Sequence, residues 1–130
     1  MITALYAALL AFFFILLSFK VIGKRRQFKV GIGSKGEMAL ERAIRVHGNF
    51  AEYVPFALLL IFLAEYAGLA PLWIHILGCA LLLGRLLHAY GVSKVQEPLK
   101  FRVIGTLLTQ TVMLVSAVVI IALYIIKTSF

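Results

Sequence analysis

The sequence predicts an all-α, polytopic membrane protein, a single domain over residues 1–130 built as a four-transmembrane-helix bundle. Its 130 residues are 63% hydrophobic with a mean hydropathy of +1.05, more apolar surface than a soluble domain of this size can hide. Four apolar runs, Ile2–Ile22, Val46–Tyr66, Leu72–Tyr90 and Val103–Ile126, each come close to the ~20 residues that cross a bilayer core of roughly 30 Å. The cations cluster between the runs, as they do beside membrane spans.

The first helix is expected at about residues 2–22. No Lys or Arg precedes it and its positive cluster follows it, so it reads as a span and not as a cleavable signal. Ala4, Ala8 and Ala11 form a small-residue stripe suited to close helix packing. The connector after it contains "GIGSKG", a literal G-x-G-x-x-G. That dinucleotide-binding fingerprint needs a preceding strand. A membrane helix precedes this one, so the match is chance.

The second helix is expected at about 37–66, with Glu37 and Glu41 in its first turns, where acids complement the helix dipole. At ~1.5 Å per residue its length exceeds the bilayer core, so its basic first turns should project from the membrane. Pro55 should kink it or loosen one turn. Pro71 fits the first turn of the third helix, about 71–91, and the fourth is expected at about 101–127. Cys79, the one thiol, sits in the third run, which excludes an intrachain disulfide and reads as packing.

The net charge is +8. The first loop region holds Lys20, Lys24, Arg25, Arg26, Lys29 and Lys35; the third holds Lys94, Lys100 and Arg102; the second, "EYAGLAP", has no cation. The positive-inside rule then places loops one and three in the cytoplasm and both termini outside. Topology and lipid headgroups account for the charge, so no nucleic-acid partner is expected.

Within "ERAIRVHGNFAEYVP", Arg42, Arg45, Asn49 and Glu52 are spaced three, four and three residues apart and share one helix stripe. Such groups are costly in hydrocarbon and face a partner or a wet cavity. Arg85, His88 and Arg102 lie at the same depth on other helices, so together these residues describe a basic pocket. It suits an anionic ligand: Arg offers fork-like donors to carboxylates, Glu52 can take an ammonium, and a further Arg near a thiol favours the thiolate. Glutathione has that set of groups, as one of several anionic ligands that do. No metal is expected.

The stretches "RRQFKV", "ERAIRVHGNFAEYVP" and "GRLLHAYG" resemble the MAPEG superfamily, membrane-associated proteins in eicosanoid and glutathione metabolism, and most of all its small bacterial branch. The resemblance implies a homotrimer of four-helix subunits in the bacterial inner membrane, with glutathione as co-substrate between neighbouring subunits. It assigns Arg45, Asn49, Glu52 and Tyr53 to glutathione binding, with His47 beside the ligand, at least one of the basic pair Arg25 and Arg26 after the first helix reaching it, and His88 on the third. Arg102 matches the Arg that stabilises the thiolate, with Lys100 competing because the preceding loop differs in length. A Tyr expected one turn beyond His88 falls on Val92, with Tyr90 two residues earlier.

The implied function is a glutathione-dependent transferase or peroxidase acting on lipophilic electrophiles or lipid hydroperoxides. Its partners would be a second and third copy, membrane lipids, glutathione and a lipophilic substrate. A non-catalytic glutathione- or lipid-binding membrane protein is the main alternative. A small proton-coupled transporter using Glu52 is a further one.

Overall fold

The computed structural model describes residues 1–94, 96 and 98–129. Val95 and Glu97 of the third loop, and Phe130 at the end of the expected domain, lie outside the described residues. Four helices account for almost all the rest: α1 (Thr3–Phe28), α2 (Met38–Tyr66), α3 (Pro71–Ser93) and α4 (Leu99–Thr128). All four are long and apolar enough to cross a membrane, and the protein is an integral membrane protein.

The boundaries differ most at α1, which continues six residues past Ile22 through "GKRRQF". Lys20, Lys24, Arg25 and Arg26 are therefore helical and not loop residues. Lys and Arg are good helix formers, and the last turn, holding Arg25 and Arg26, favours cations at the negative end of the dipole. Lys29 ends the helix in the left-handed region at φ 54°, and the Val30 amide returns to the Arg25 carbonyl at 3.0 Å. Arg25 then donates to the carbonyls of Gly31 (3.1 Å) and Gly33 (3.0 Å), wrapping the connector around its guanidinium. Within "GIGSKG", Gly33 and Gly36 take positive φ, as a turn requires.

Helix α2 starts with Glu37 at its cap and runs unbroken through Pro55. It ends where Gly68 adopts φ 97°, with the Leu69 amide on the Ala64 carbonyl and the Gly68 amide on Glu65, both at 3.0 Å. Pro71 opens α3 directly afterwards.

Consecutive helices run antiparallel. At one end Glu65 of α2 accepts from the amides of Ile2 and Thr3 and from the Thr3 hydroxyl, capping α1, while Lys127 of α4 donates to the Ala67 carbonyl at 2.8 Å. At the other, basic end, Arg42 of α2 donates to the Val92 carbonyl of α3 at 3.1 Å. The core threads through α2 as Val46, Phe50, Val54, Ala57, Ile61 and Ala64, meeting Leu10 and Leu17 of α1, Ile74, Leu77 and Leu81 of α3, and Val112 of α4.

Two packing expectations change. Ala4, Ala8 and Ala11 are exposed on α1 and not buried in a helix seam, with Ala4 and Ala11 bordering open α1–α2 grooves beside Pro55 and Leu58. Close approach occurs instead between α3 and α4, through glycines. A Cβ on Gly105 would sit 2.6 Å from the His88 amide nitrogen, and one on Gly91 would sit 2.8 Å from that of Arg102. Cys79 is exposed on α3, with its sulfur 3.2 Å from the Tyr6 hydroxyl, so it is a half-surface residue and not core packing.

Candidate functional site

At the basic end a cavity of about 250 Å³ opens between α2, α3 and α4. Helix α2 lines it with Glu41, Arg42, Arg45 and Asn49, α3 with His88 and Val92, and α4 with Arg102. The spacing of the α2 residues keeps them on one stripe. The glycine contacts at Gly91 and Gly105 let α4 approach α3 so closely that Arg102 and His88 share the cavity.

Beneath the cavity lies Arg85, 2% exposed. It donates to Asn49 Oδ1 at 2.6 Å, to His88 Nδ1 at 3.4 Å and to Thr109 Oγ1 at 3.5 Å, with the Phe50 ring centroid 5.8 Å from its guanidinium carbon. None of these described partners is a carboxylate, and its Nε is buried with no hydrogen-bond partner among the described residues. A buried cation with no carboxylate among its described partners is expensive. Asn49 and His88 connect it to the cavity they line, so a bound anion would offset part of that cost.

The profile of the MAPEG family matches residues 3–122. The chain belongs to the MAPEG family. It is also 44% identical, over 91 residues covering 70% of each chain, to the inner membrane protein YecN of Escherichia coli strain K12, and to the same extent to YecN of Escherichia coli O6:H1. The four-helix membrane bundle described above is the architecture of this family.

Of the residues that the family resemblance singles out, the fold brings Arg45, Asn49, His88 and Arg102 to one cavity. Lys100 is exposed and does not line it, so the geometry of α4 favours the Arg102 register. Glu52 shares the stripe but lies ~10 Å further along the helix than Arg45. It is exposed and outside the lining, where Glu41 is the acid among the described residues. Tyr53, half-buried, is also outside it.

His47 does not face this cavity. It sits on the α1 flank of α2, where the Ser18 hydroxyl meets Nε2 at 2.9 Å and the Phe14 ring stacks at 4.6 Å. Arg25 is bound into the connector and Arg26 is exposed at the end of α1. Tyr90 likewise points away, taking a 2.6 Å bond from Lys94, while Val92 presents an apolar surface to the cavity.

Two contributors carry little signal in the sequence. Arg85 reads as one more arginine at the right depth, and its three-residue spacing from His88 is the only hint that it forms the floor. Gly105 reads as an isolated helical glycine. Gly105→Ala should separate α3 from α4 and move Arg102 out of register, destabilising the bundle by about 1–3 kcal/mol. Thermal unfolding in detergent measures this, and a melting point equal to wild type would contradict the close contact.

Proposed function

We propose that this MAPEG protein is a glutathione-dependent transferase or peroxidase of the inner membrane, acting on lipophilic electrophiles or lipid hydroperoxides. The observation that carries the reading is Arg85, buried and held by Asn49 and His88 beneath a cavity lined by Arg42, Arg45 and Arg102. Three guanidiniums lining one opening, over a fourth buried beneath it, suit a ligand with two carboxylates. Glu41 at the rim, or Glu52 deeper on the same stripe, would take its ammonium.

Arg102 would stabilise the ligand's sulfur as a thiolate. In conjugation the sulfur forms a C–S bond and the leaving group departs with the electrons of the broken bond. With a hydroperoxide it attacks the terminal oxygen, forming an S–O bond as the O–O bond breaks; the alcohol leaves, and a second glutathione thiol attacks the resulting sulfenic sulfur, closing the disulfide and releasing water. Lipophilic substrates would arrive from the bilayer, and the protein's YecN relative is an inner membrane protein by name.

The single chain leaves this site open on one side. His47 and Arg26, on the α1 side of the subunit, would face a neighbouring copy's cavity in a homotrimer and complete it. Native mass spectrometry in mild detergent should give a trimer; monomer alone under gentle conditions would count against it. The cation asymmetry places the basic end in the cytoplasm and both termini outside, and a C-terminal reporter active only in the cytoplasm would sink that topology.

Calorimetric titration of glutathione, followed by a chlorodinitrobenzene conjugation assay, tests the reading. Removing a charged hydrogen bond costs about 1.5–3 kcal/mol, or roughly 10- to 150-fold in affinity. That loss should follow Glu52→Gln if the family resemblance identifies the acid and Glu41→Gln if the single-chain cavity does. Unchanged affinity in both folded variants would reject an acid partner for the ammonium. Val92 favours a second reading, a non-catalytic binder, because it puts an apolar side chain in the cavity wall where the family resemblance leads one to expect a Tyr hydroxyl. Bound glutathione without conjugation would select it.

A further inference from the structure

On the other flank of α3 a groove of about 600 Å³ separates it from α1. Helices α1 and α3 run in the same direction, and beyond the groove they meet where the Tyr6 hydroxyl lies 3.0 Å from His75 Nδ1 and 3.2 Å from Cys79 Sγ. The α1 wall is Phe13, Leu16 and Leu17, followed one turn on by Lys20; the α3 wall is Leu83, Leu86 and Leu87, followed by Tyr90 and Lys94. Each wall is a three-and-four-spaced apolar stripe that ends in a lysine at the basic end. The stripes run for ~10 Å and ~16 Å of helix respectively, and Leu16 and Leu83 are more than half exposed.

The mouth is polar and positive. Lys20 donates to the Ser93 hydroxyl at 3.1 Å and Lys94 to the Tyr90 hydroxyl at 2.6 Å. An ammonium has three donors, so a bond to one hydroxyl leaves others to reach an anion. No acidic side chain is among the described lining residues. The groove shares no residue with the arginine cavity, which takes its lining from α2, α4 and the opposite flank of α3.

An apolar trough long enough for part of an acyl chain, with two ammoniums and two hydroxyls at one end, has the chemistry of a phospholipid turned to match. We propose that the α1–α3 groove is a binding site for an anionic phospholipid. One acyl chain lies between the leucine stripes, and the phosphate is held by Lys20 and Lys94 with the Tyr90 and Ser93 hydroxyls beside it. Charge complementarity decides the occupant. A zwitterionic lipid would bring its own cation to a mouth that already holds two, whereas anionic headgroups are drawn to basic clusters between spans. The bound lipid would fill the seam where α1 is held least to the bundle, stapling it to α3.

The purified protein is exchanged into mild detergent with phosphatidylglycerol and phosphatidylcholine in competition, and retained lipid is read by native mass spectrometry. Phosphatidylglycerol should be retained preferentially, up to one molecule per chain, and should raise the melting point more than phosphatidylcholine does. At about 1 kcal/mol per lysine near a phosphate, Lys20→Ala combined with Lys94→Ala should weaken retention about 30-fold. Lys20→Arg with Lys94→Arg should keep it. Leu86→Trp fills the trough without touching either ammonium and should also expel the lipid. Equal retention of the two lipids by wild type overturns the proposal, whether or not the alanine variant folds. So does phosphatidylglycerol retention that survives both the double alanine and the Trp substitution.

Discussion

Arg85→Met should abolish measurable glutathione binding while leaving the bundle as stable as wild type or more so. The two effects have opposite signs because they have different origins. In the empty subunit Arg85 is a buried cation whose described partners, Asn49, His88 and Thr109, include no carboxylate. Replacing a buried charge with an apolar side chain of similar length is often neutral or stabilising. In the liganded subunit the same charge sets the potential of the cavity and holds the Asn49 side chain in place. Losing the equivalent of two charged hydrogen bonds, at about 1.5–3 kcal/mol each, weakens affinity by at least about 100-fold. Calorimetry and thermal unfolding on one preparation read both quantities. If Arg85→Met unfolds the protein, the arginine is a structural keystone. If it binds glutathione normally, Arg85 does not support the site.

The four spans were legible because hydropathy over ~20 residues is a one-dimensional signal. The polar stripe of α2 was legible for a similar reason, since spacing within one helix fixes which residues share a face. What required the fold was everything that depends on how two helices meet. The difference in burial between Arg85 and Arg102 follows from the approach of α3 and α4, which Gly91 and Gly105 permit; nothing within either helix alone distinguishes the buried arginine from the exposed one. His47 is two residues from Arg45, which turns it by more than half a circle, so α1 claims it as soon as α1 packs on that flank. The end of α1 was misplaced because the cations of "GKRRQF" lower hydropathy, while helix formation responds to propensity and dipole, both of which favour Lys and Arg there.

These placements also explain why the residues expected to surround one ligand fall into two groups. Arg45, Asn49, His88 and Arg102 face one side of the subunit, whereas His47, Arg25 and Arg26 belong to its α1 side. One chain cannot close both groups around one molecule. The proposed homotrimer would, with each α1 side presented to the next cavity, since closed cyclic symmetry is the common way to repeat such a heterologous contact. The exposed alanine stripe of α1 offers that contact a surface on which helices can approach closely.

Arg102→Ala should retain glutathione affinity to within about tenfold, because Arg42 and Arg45 remain in the lining to hold the carboxylates, with the Arg85 charge beneath them. It should nonetheless lower turnover by about 10²- to 10³-fold, the usual cost of removing one electrostatic stabiliser from a reacting centre. The separation arises because Arg102 is the cavity's sole cation from α4 and is exposed at its mouth, where a thiol could be met apart from the carboxylates. Each unit by which the bound thiol's pKa rises corresponds to about 1.4 kcal/mol, so a small shift removes most thiolate at neutral pH. The ultraviolet absorbance of the bound thiolate should therefore disappear in Arg102→Ala and persist in Lys100→Ala, whose side chain lies outside the cavity. The reverse pattern would place the working cation at Lys100 and shift the register of α4. A wild-type protein that binds glutathione with no thiolate signal would remove the enzyme reading and leave a binder with an apolar Val92 in its wall.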